Sequence, residues 1–553
     1  MPRTFSNNPS SHDGGVLPHI PRIEAQCGQI FQRASSINKD LIHRMQNVPL
    51  VQKHVFGFEI KKIWILATLI LLFSVSLVGT ILFWFTNTLD SYIMQNLMLA
   101  NGSTAFEGWI NPKARTLVKI HIFNYTNVEE FDNGTDKRLR VKELGPYVYE
   151  EVVERQNVYF ENDGTLTYQN SYKHKFLPHL SKGKQSDVVV VPNIMVLTAA
   201  YNTKDMDYWA KVFASMTLGG FMSKKPFMKL PAYRYIWGYD DSVYALAKGF
   251  MSLQSSNMHE QIGLMSGRNG TSPYVMTVHT GQRNMKNLGI LSKINGFDTI
   301  GQWPAECDSV AASDGSLFPP SLVRNKQDLD VYFPDLCRKF RYTFQKEVQI
   351  INNTIPAYRY AMPESVFDSP DKEPSNECYC DHSSGACAPQ GFYNATSCAF
   401  GAPIFMSKPH FSRVDPENIK VDGINLKHKD VDSYVDLHPT MGFPIAGMTR
   451  LQMNILAKSY PGFYSMNMFD KDGMMLPLAW LDSGLEDQHI NREYLEVIYL
   501  TTFTVKQAEL AIKYITLLTA IVTLTAIIII LKEKLRSYQQ SSSSQHLHSH
   551  FTA

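Results

Sequence analysis

The chain has 553 residues, enough for three or four domains of ordinary size, and is 44% hydrophobic, 19% charged and 12% aromatic. That mixture excludes a wholly disordered, collagen-like or coiled-coil chain. Lys and Arg number 53 against 51 Asp and Glu, a formal charge of +2, so no general basic field exists and no nucleic-acid partner is expected.

Residues 1–22 are rich in Ser, Asn, Pro, His and Gly without an apolar period and read as disordered. Residues 63–85 then form a run of 23 without a charge. As a helix it extends about 35 Å, more than a hydrocarbon core of about 30 Å. Trp64 and Trp84 stand at its ends, where amphipathic rings prefer the headgroups. A cleavable leader is not expected, because 62 residues precede the run and no small-residue cleavage site follows. A second uncharged run, 514–531, ends at Lys532, Lys534 and Arg536. His546, His548 and His550 in the final low-complexity stretch read as a solvated tail, not a metal site.

Lys and Arg outnumber Asp and Glu 8 to 4 in residues 1–62 and 3 to 1 in 532–553, leaving 42 against 46 between the runs. The positive-inside rule makes 1–62 and 532–553 cytosolic tails, 63–85 and 514–531 transmembrane helices, and 86–513 an ectodomain. The expected protein is a two-span membrane hairpin, at the plasma membrane or in endosomal or lysosomal membrane.

Within 86–513, Val118, Ile120 and Ile122 alternate with Lys119 and His121, the pattern of a half-buried strand. Asn162-Asp163-Gly164 between two strand-like runs predicts a hairpin. Strand-like stretches recur at 186–191, 273–280, 340–351 and 403–406, so the ectodomain is expected to be mainly β. One region departs from this. Thr203 is an N-cap candidate, Gly219-Gly220 a stop, and Trp209, Phe213 and Met216 form a stripe at helical spacing. Met195, Met206, Met216, Met222 and Met228 enrich the same stretch in a flexible, polarizable side chain suited to varied apolar ligands. From periodicity alone the favoured reading is a stripe that packs on the domain's own core.

Six N-x-Ser/Thr acceptors, Asn101, Asn124, Asn133, Asn269, Asn352 and Asn394, all lie in 86–513. So do Cys307, Cys337, Cys378, Cys380, Cys387 and Cys398, leaving Cys27 alone in a tail. An even, clustered set in an oxidising compartment reads as three disulfides in any of about 15 connectivities. Zinc is not expected, since the paired C-x₂-C spacing is missing.

Nine strings in order resemble the class B scavenger receptor family, which includes fatty acid translocase, the high-density lipoprotein receptor, lysosomal integral membrane protein and the insect sensory neuron membrane proteins. They are Ala105-Phe106-Glu107-Gly108-Trp109, Glu143-Leu144-Gly145-Pro146-Tyr147-Val148-Tyr149, Ile236-Trp237-Gly238-Tyr239, Leu317-Phe318-Pro319-Pro320, Ile355-Pro356-Ala357-Tyr358-Arg359, Cys378-Tyr379-Cys380, Lys408-Pro409-His410-Phe411, Val421-Asp422-Gly423 and Leu476-Pro477-Leu478-Ala479-Trp480-Leu481. The resemblance implies an irregular antiparallel β-barrel core, an apical helical bundle at 193–237 and an internal lipid tunnel. It also implies the pairing Cys307 to Cys378, Cys337 to Cys398 and Cys380 to Cys387. It turns the stripe towards ligand, with Trp209, Phe213, Met216 and Phe221 as apolar contacts and Lys224 and Lys225 near the family's cationic apex. The tails depart from relatives: neither carries membrane-proximal cysteines, and the C-terminal tail has no acidic dileucine signal.

The expected function is that of a receptor and lipid conduit. It would bind fatty acids, sterols, carotenoids, phospholipids, lipoproteins or other lipid-bearing particles and pass lipid to the bilayer, with no cofactor and no catalytic residue. Competing readings are phagocytic recognition and signalling, or luminal trafficking without lipid flux. A ligand-gated channel lined by Thr516, Thr519 and Thr523 is remote, as is an ectoenzyme, for which neither G-x-S-x-G nor H-E-x-x-H is present. The sequence leaves the cargo and any homo-oligomer open.

Overall fold

The computed structural model describes residues 54–55, 58–86, 88–203, 225–251, 260–380, 387–429, 431–461 and 463–550. They fall into two compact units, one of the described residues up to 86 with those from 510 onward and one of those between 88 and 509.

The first unit holds two helices long and apolar enough to cross a membrane, Ile60–Phe85 and, from residue 510 on, the last helix, Val505–His550. They touch where side chains are small. A Cβ added at Gly79 would meet Thr516 Cγ2 at 3.2 Å, and Ser76, Ala520 and Thr523 are buried. Trp84 Nε1–H donates to the Lys513 carbonyl at 3.2 Å and its ring meets Tyr514 edge-on. The hydroxyls of Thr516, Thr519 and Thr523 all donate to carbonyls three or four residues back in their own helix. Their spacing therefore serves helix packing and backbone bonding.

The second unit is mainly β. Its principal strands, in chain order, are β1 (Thr116–Tyr125), β2 (Leu139–Phe160), β3 (Thr165–Phe176), β4 (Val188–Pro192), β5 (Phe227–Pro231), β6 (Met276–His279), β7 (Leu291–Ile294), β8 (Leu329–Phe333), β9 (Arg338–Ile350), β10 (Ile355–Ala361), β11 (Ile404–Ser407), β12 (Val421–Asp422), β13 (Tyr434–Leu437), β14 (Pro444–Ala457) and β15 (Met474–Leu485). An antiparallel path runs β7-β6-β3-β2-β1-β15-β14-β13-β10-β9-β8. Val118, Ile120 and Ile122 are fully buried on β1 while Lys119 and His121 turn to the other face. β2 and β3 meet across Asn162-Asp163-Gly164, with Phe160 opposite Leu166. Asp163 closes that turn by accepting the Thr165 amide at 3.0 Å.

The path is open, so the expected barrel does not close as a continuous ladder among the described residues. β7 and β8 are not paired with each other; Ser313 makes isolated bridges to Ile290 and Val331 between them. Pro304, Pro319 and Pro320 lie in the intervening chain and cannot donate to a ladder.

Cys307 is bonded to Cys378, Cys337 to Cys398 and Cys380 to Cys387, with Cα separations of 6.2, 5.9 and 4.6 Å.

Candidate functional site

The segment expected to capture ligand leaves the sheet at β4 and returns at β5. These strands pair only with each other, Val188 opposite Pro231 and Pro192 opposite Phe227. The Asn193 amide donates to the Pro226 carbonyl at 2.8 Å. Residues 193–226 are therefore an excursion clamped at its base. The clamp is tied to the main sheet, because Asn124 Oδ1 on β1 accepts the Val190 amide at 2.7 Å.

The excursion opens with a helix, Ile194–Asn202, capped by Asn193, whose Oδ1 accepts the Val196 amide. Seven of its nine residues are buried. Thr203 closes this helix, its hydroxyl donating to the Ala200 carbonyl at 2.7 Å, a local bond that a short polar side chain makes readily, and the helix expected to follow it lies outside the described residues. Met195 is buried and Met228 packs against the main hydrophobic core, so two of the five methionines serve packing. Trp209, Phe213, Met216, Phe221 and Lys224 lie outside the described residues. Lys225 is exposed just before β5.

Behind the clamp, the helix Ala232–Trp237 seats Tyr235 and Ile236 in the core, both fully buried. Trp237 packs against His174 at 4.4 Å and Tyr149 at 5.0 Å between ring centres. His174 Nε2 lies 2.9 Å from Glu151 Oε2, and Arg268 lies 3.1 Å from the other oxygen. Burial pushes the Glu151 carboxyl up, but Arg268 and His174 outweigh it and hold it below the usual range. Through Trp237, this cluster ties the helix that follows β5 to β2 and β3.

Of the glycan acceptors, Asn101, Asn133, Asn269 and Asn352 are exposed. Asn124 and Asn394 are half-buried, with their carbonyl oxygens accepting the amides of Val190 and Thr396. Among the described residues no group of three or more His, Cys, Asp or Glu side chains is placed to hold a metal.

The β1, β2 and β15 faces also bring His121, Glu143 and Trp480 together with His410 and His428. Sequence patterning passes over this convergence, since its members are spread over some 360 residues; only the family strings containing Glu143, His410 and Trp480 touch it.

Comparison with known proteins covers most of the chain. Scavenger receptor class B member 1 of Rattus norvegicus is 29% identical over 414 residues, 74% of this chain and 78% of the relative. Lysosome membrane protein 2 of Mus musculus is 28% identical over 441 residues, covering 79% and 88%. Sensory neuron membrane protein 1 of Bombyx mori is 29% identical over 459 residues, covering 78% and 84%. A sequence model of the CD36 family matches residues 68–531, from within the first apolar helix to the end of the second apolar run, and the chain belongs to that family.

Proposed function

We propose that the protein is a membrane receptor that captures lipids or lipid-bearing particles at the 193–226 excursion and delivers lipid along the ectodomain to the bilayer. The observation that carries this reading is the excursion itself, a segment whose sequence is Met-rich and whose base is clamped by β4 and β5. Similarity to a scavenger receptor supports a receptor role. Transfer of apolar surface between carrier, protein and membrane yields roughly 25 cal/mol per Å² and needs no nucleotide. A tunnel through the β core and cytosolic termini belong to the same reading.

Two double variants test it. Lys224→Glu with Lys225→Glu weakens binding of anionic lipid particles, more so at low salt, because exposed charges are screened over about 8 Å at physiological ionic strength. Phe213→Asp with Met216→Asp abolishes lipid uptake at normal surface level if the stripe meets ligand, and blocks surface delivery if it is core, where an unpaired charge is costly. Normal binding and uptake in both variants at normal surface level would move cargo entry elsewhere. Retained particle binding without lipid uptake in the wild type would favour the trafficking role, to which the similarity to a lysosome membrane protein lends support.

A further inference from the structure

A strap of residues 408–429 crosses the face formed by β1, β2 and β15. It leaves β11, makes a tight turn at Pro409–Phe411, pairs through β12 in parallel with Leu139 and Arg140 of β2, and turns back at His428. Its seat on β2 demands glycine: Gly423 has φ +93°, and a Cβ there would lie 2.0 Å from the Val141 carbonyl oxygen. Arg138 and Asp422 pair beside it at 2.7 Å.

Beneath the strap two imidazoles flank one carboxylate, and a third imidazole packs on one of them. Glu143 Oε1, from β2, accepts from His121 Nδ1–H of β1 at 2.6 Å and from Trp480 Nε1–H of β15 at 3.2 Å. His410 comes from the strap and is 2% exposed. Its Nε2 lies 3.5 Å from Glu143 Oε2, and neither of its ring nitrogens has a hydrogen-bond partner among the described residues. The His428 ring lies 4.4 Å from that of His410, and its Nε2 is likewise buried without a partner. Both rings lie edge-on to Trp480 at 5.4 Å, and Phe123 approaches His410 at 6.2 Å. From β14, Gln452 accepts only the His410 backbone amide, at 2.7 Å. Lys408, next along the strap, is paired with Asp432 at 2.7 Å.

The backbone here is strained as well. His410, Phe411 and Arg413 have φ of 56°, 57° and 70°. Left-handed conformations of such residues persist where surrounding packing imposes them, and they cluster at switches.

These side chains are not disposed to hold a metal, which leaves the proton as the ligand that buried, unpartnered imidazoles take. We propose that the 408–429 strap is an acid-opened latch, held shut by neutral His410 packed between His428 and Trp480 and released when His410 is protonated. A cation at His410 would be buried beside a second imidazole, and Glu143, the nearby carboxylate among the described residues, is already engaged by His121 and Trp480. Opening would uncover Trp480 and the small apolar cluster of Phe392, Phe405, Phe411, Val414 and Met475.

Burial lowers the His410 pKa from 6.5 to about 4, with His428 and His121 acting in the same direction and Glu143 against them. The closed strap therefore binds fewer protons than the open one. Closure is complete above pH 6.5, and its advantage is lost as pH falls from there towards 4. One proton with these limits raises the opening equilibrium on the order of 25-fold between pH 7.4 and 5.0. The latch does not depend on the lipid reading.

Hydrogen exchange of the full-length protein in nanodiscs, corrected for the intrinsic pH dependence of amide exchange, tests the proposal. Protection of peptides within 408–429 should fall on the order of 25-fold from pH 7.4 to 5.0, while β15 peptides stay protected. In His410→Asn, which tolerates a positive φ and does not titrate, the fall should shrink to less than about 3-fold. His428→Gln, which removes the facing imidazole, should make the fall shallower, and it decides the matter if His410→Asn does not reach the membrane. A strap whose protection is independent of pH, or whose pH response is the same in His428→Gln as in the wild type, overturns the latch.

Discussion

Arg338 shows how much of this ectodomain rests on single buried polar side chains. Its guanidinium carbon lies 4.3 Å from the ring centre of Tyr379, 4.9 Å from Tyr393, 5.1 Å from Phe340 and 6.0 Å from Phe367. It donates to the Val366 carbonyl at 3.1 Å and to Asn376 Oδ1 at 2.7 Å. Burial lowers its pKa, opposed by Tyr393 and Tyr379, and the aromatic faces offset the lost hydration. Arg338 follows Cys337, and Tyr379 sits between Cys378 and Cys380, so the cage knits the disulfide region together. Arg338→Leu strands two buried acceptors at about 1–3 kcal/mol each and should lower the thermal midpoint of the purified protein by several degrees. Arg338→Lys should lower it less. An unchanged midpoint in Arg338→Leu would mean that ring packing alone holds the region. The asparagines separate in the same way by environment. Asn101, Asn133, Asn269 and Asn352 stand clear of the fold, and changing all four to Gln should remove most of the mass that an N-glycosidase releases from the wild type. A full shift in that quadruple variant would place the glycans on Asn124 and Asn394.

At the scale of elements, what was legible in the sequence is what period and turn chemistry encode. The alternation at 118–122 and the Asn162-Asp163-Gly164 turn give β1 and the β2–β3 hairpin because one face of each strand is buried. The helix Ile194–Asn202 was not legible: buried nearly all round, its residues show no amphipathic period, and only Asn193 signals its start. The last helix also begins before the apolar run at 514–531. Lys506, Glu509 and Lys513 end the apolar composition without ending the helix, because charged residues are good helix formers. Contact between the two apolar helices depends on a size match at Gly79 and Thr516. Gly79→Ala needs the neighbour to yield by a few tenths of an ångström and should be nearly neutral. Gly79→Leu forces the helices apart and should reduce the thermal stability of the detergent-solubilised protein, read by its aggregation onset. Equal onsets for the two variants would show that the contact contributes little.

The topology of the whole molecule was not legible, because pairing between distant strands leaves no local trace. β1 and β15, some 360 residues apart, are adjacent in the middle of the path, with Ile122 opposite Ala479 and Ile120 opposite Leu481. The resemblance to a family supplied the expectation of a barrel, and the described strands form an open path instead. The clamp beneath the candidate segment was not legible, since β4 and β5 are short and pair across the whole excursion.

This arrangement separates what the disulfides hold from what the sheet holds. All three disulfides lie between residues 307 and 398, and the loops closed by Cys307–Cys378 and Cys337–Cys398 overlap. β1 and β15 carry none. Each is flanked by paired strands on both sides, and Val118, Ile120, Ile122, Leu476 and Leu478 are fully buried. Local opening follows local stability, so removing a covalent constraint loosens first the segment it closed, while central, doubly paired strands exchange only with global unfolding. Mild reduction of the intact protein at pH 7.4, a pH chosen to keep the strap shut, should therefore raise hydrogen exchange across 300–400 and leave 116–125 and 474–485 protected. If the central strands lost protection together with the disulfide region, the ectodomain would be one cooperative unit stapled by its cysteines, and acid opening of the strap would have to be remeasured with the disulfides verified intact.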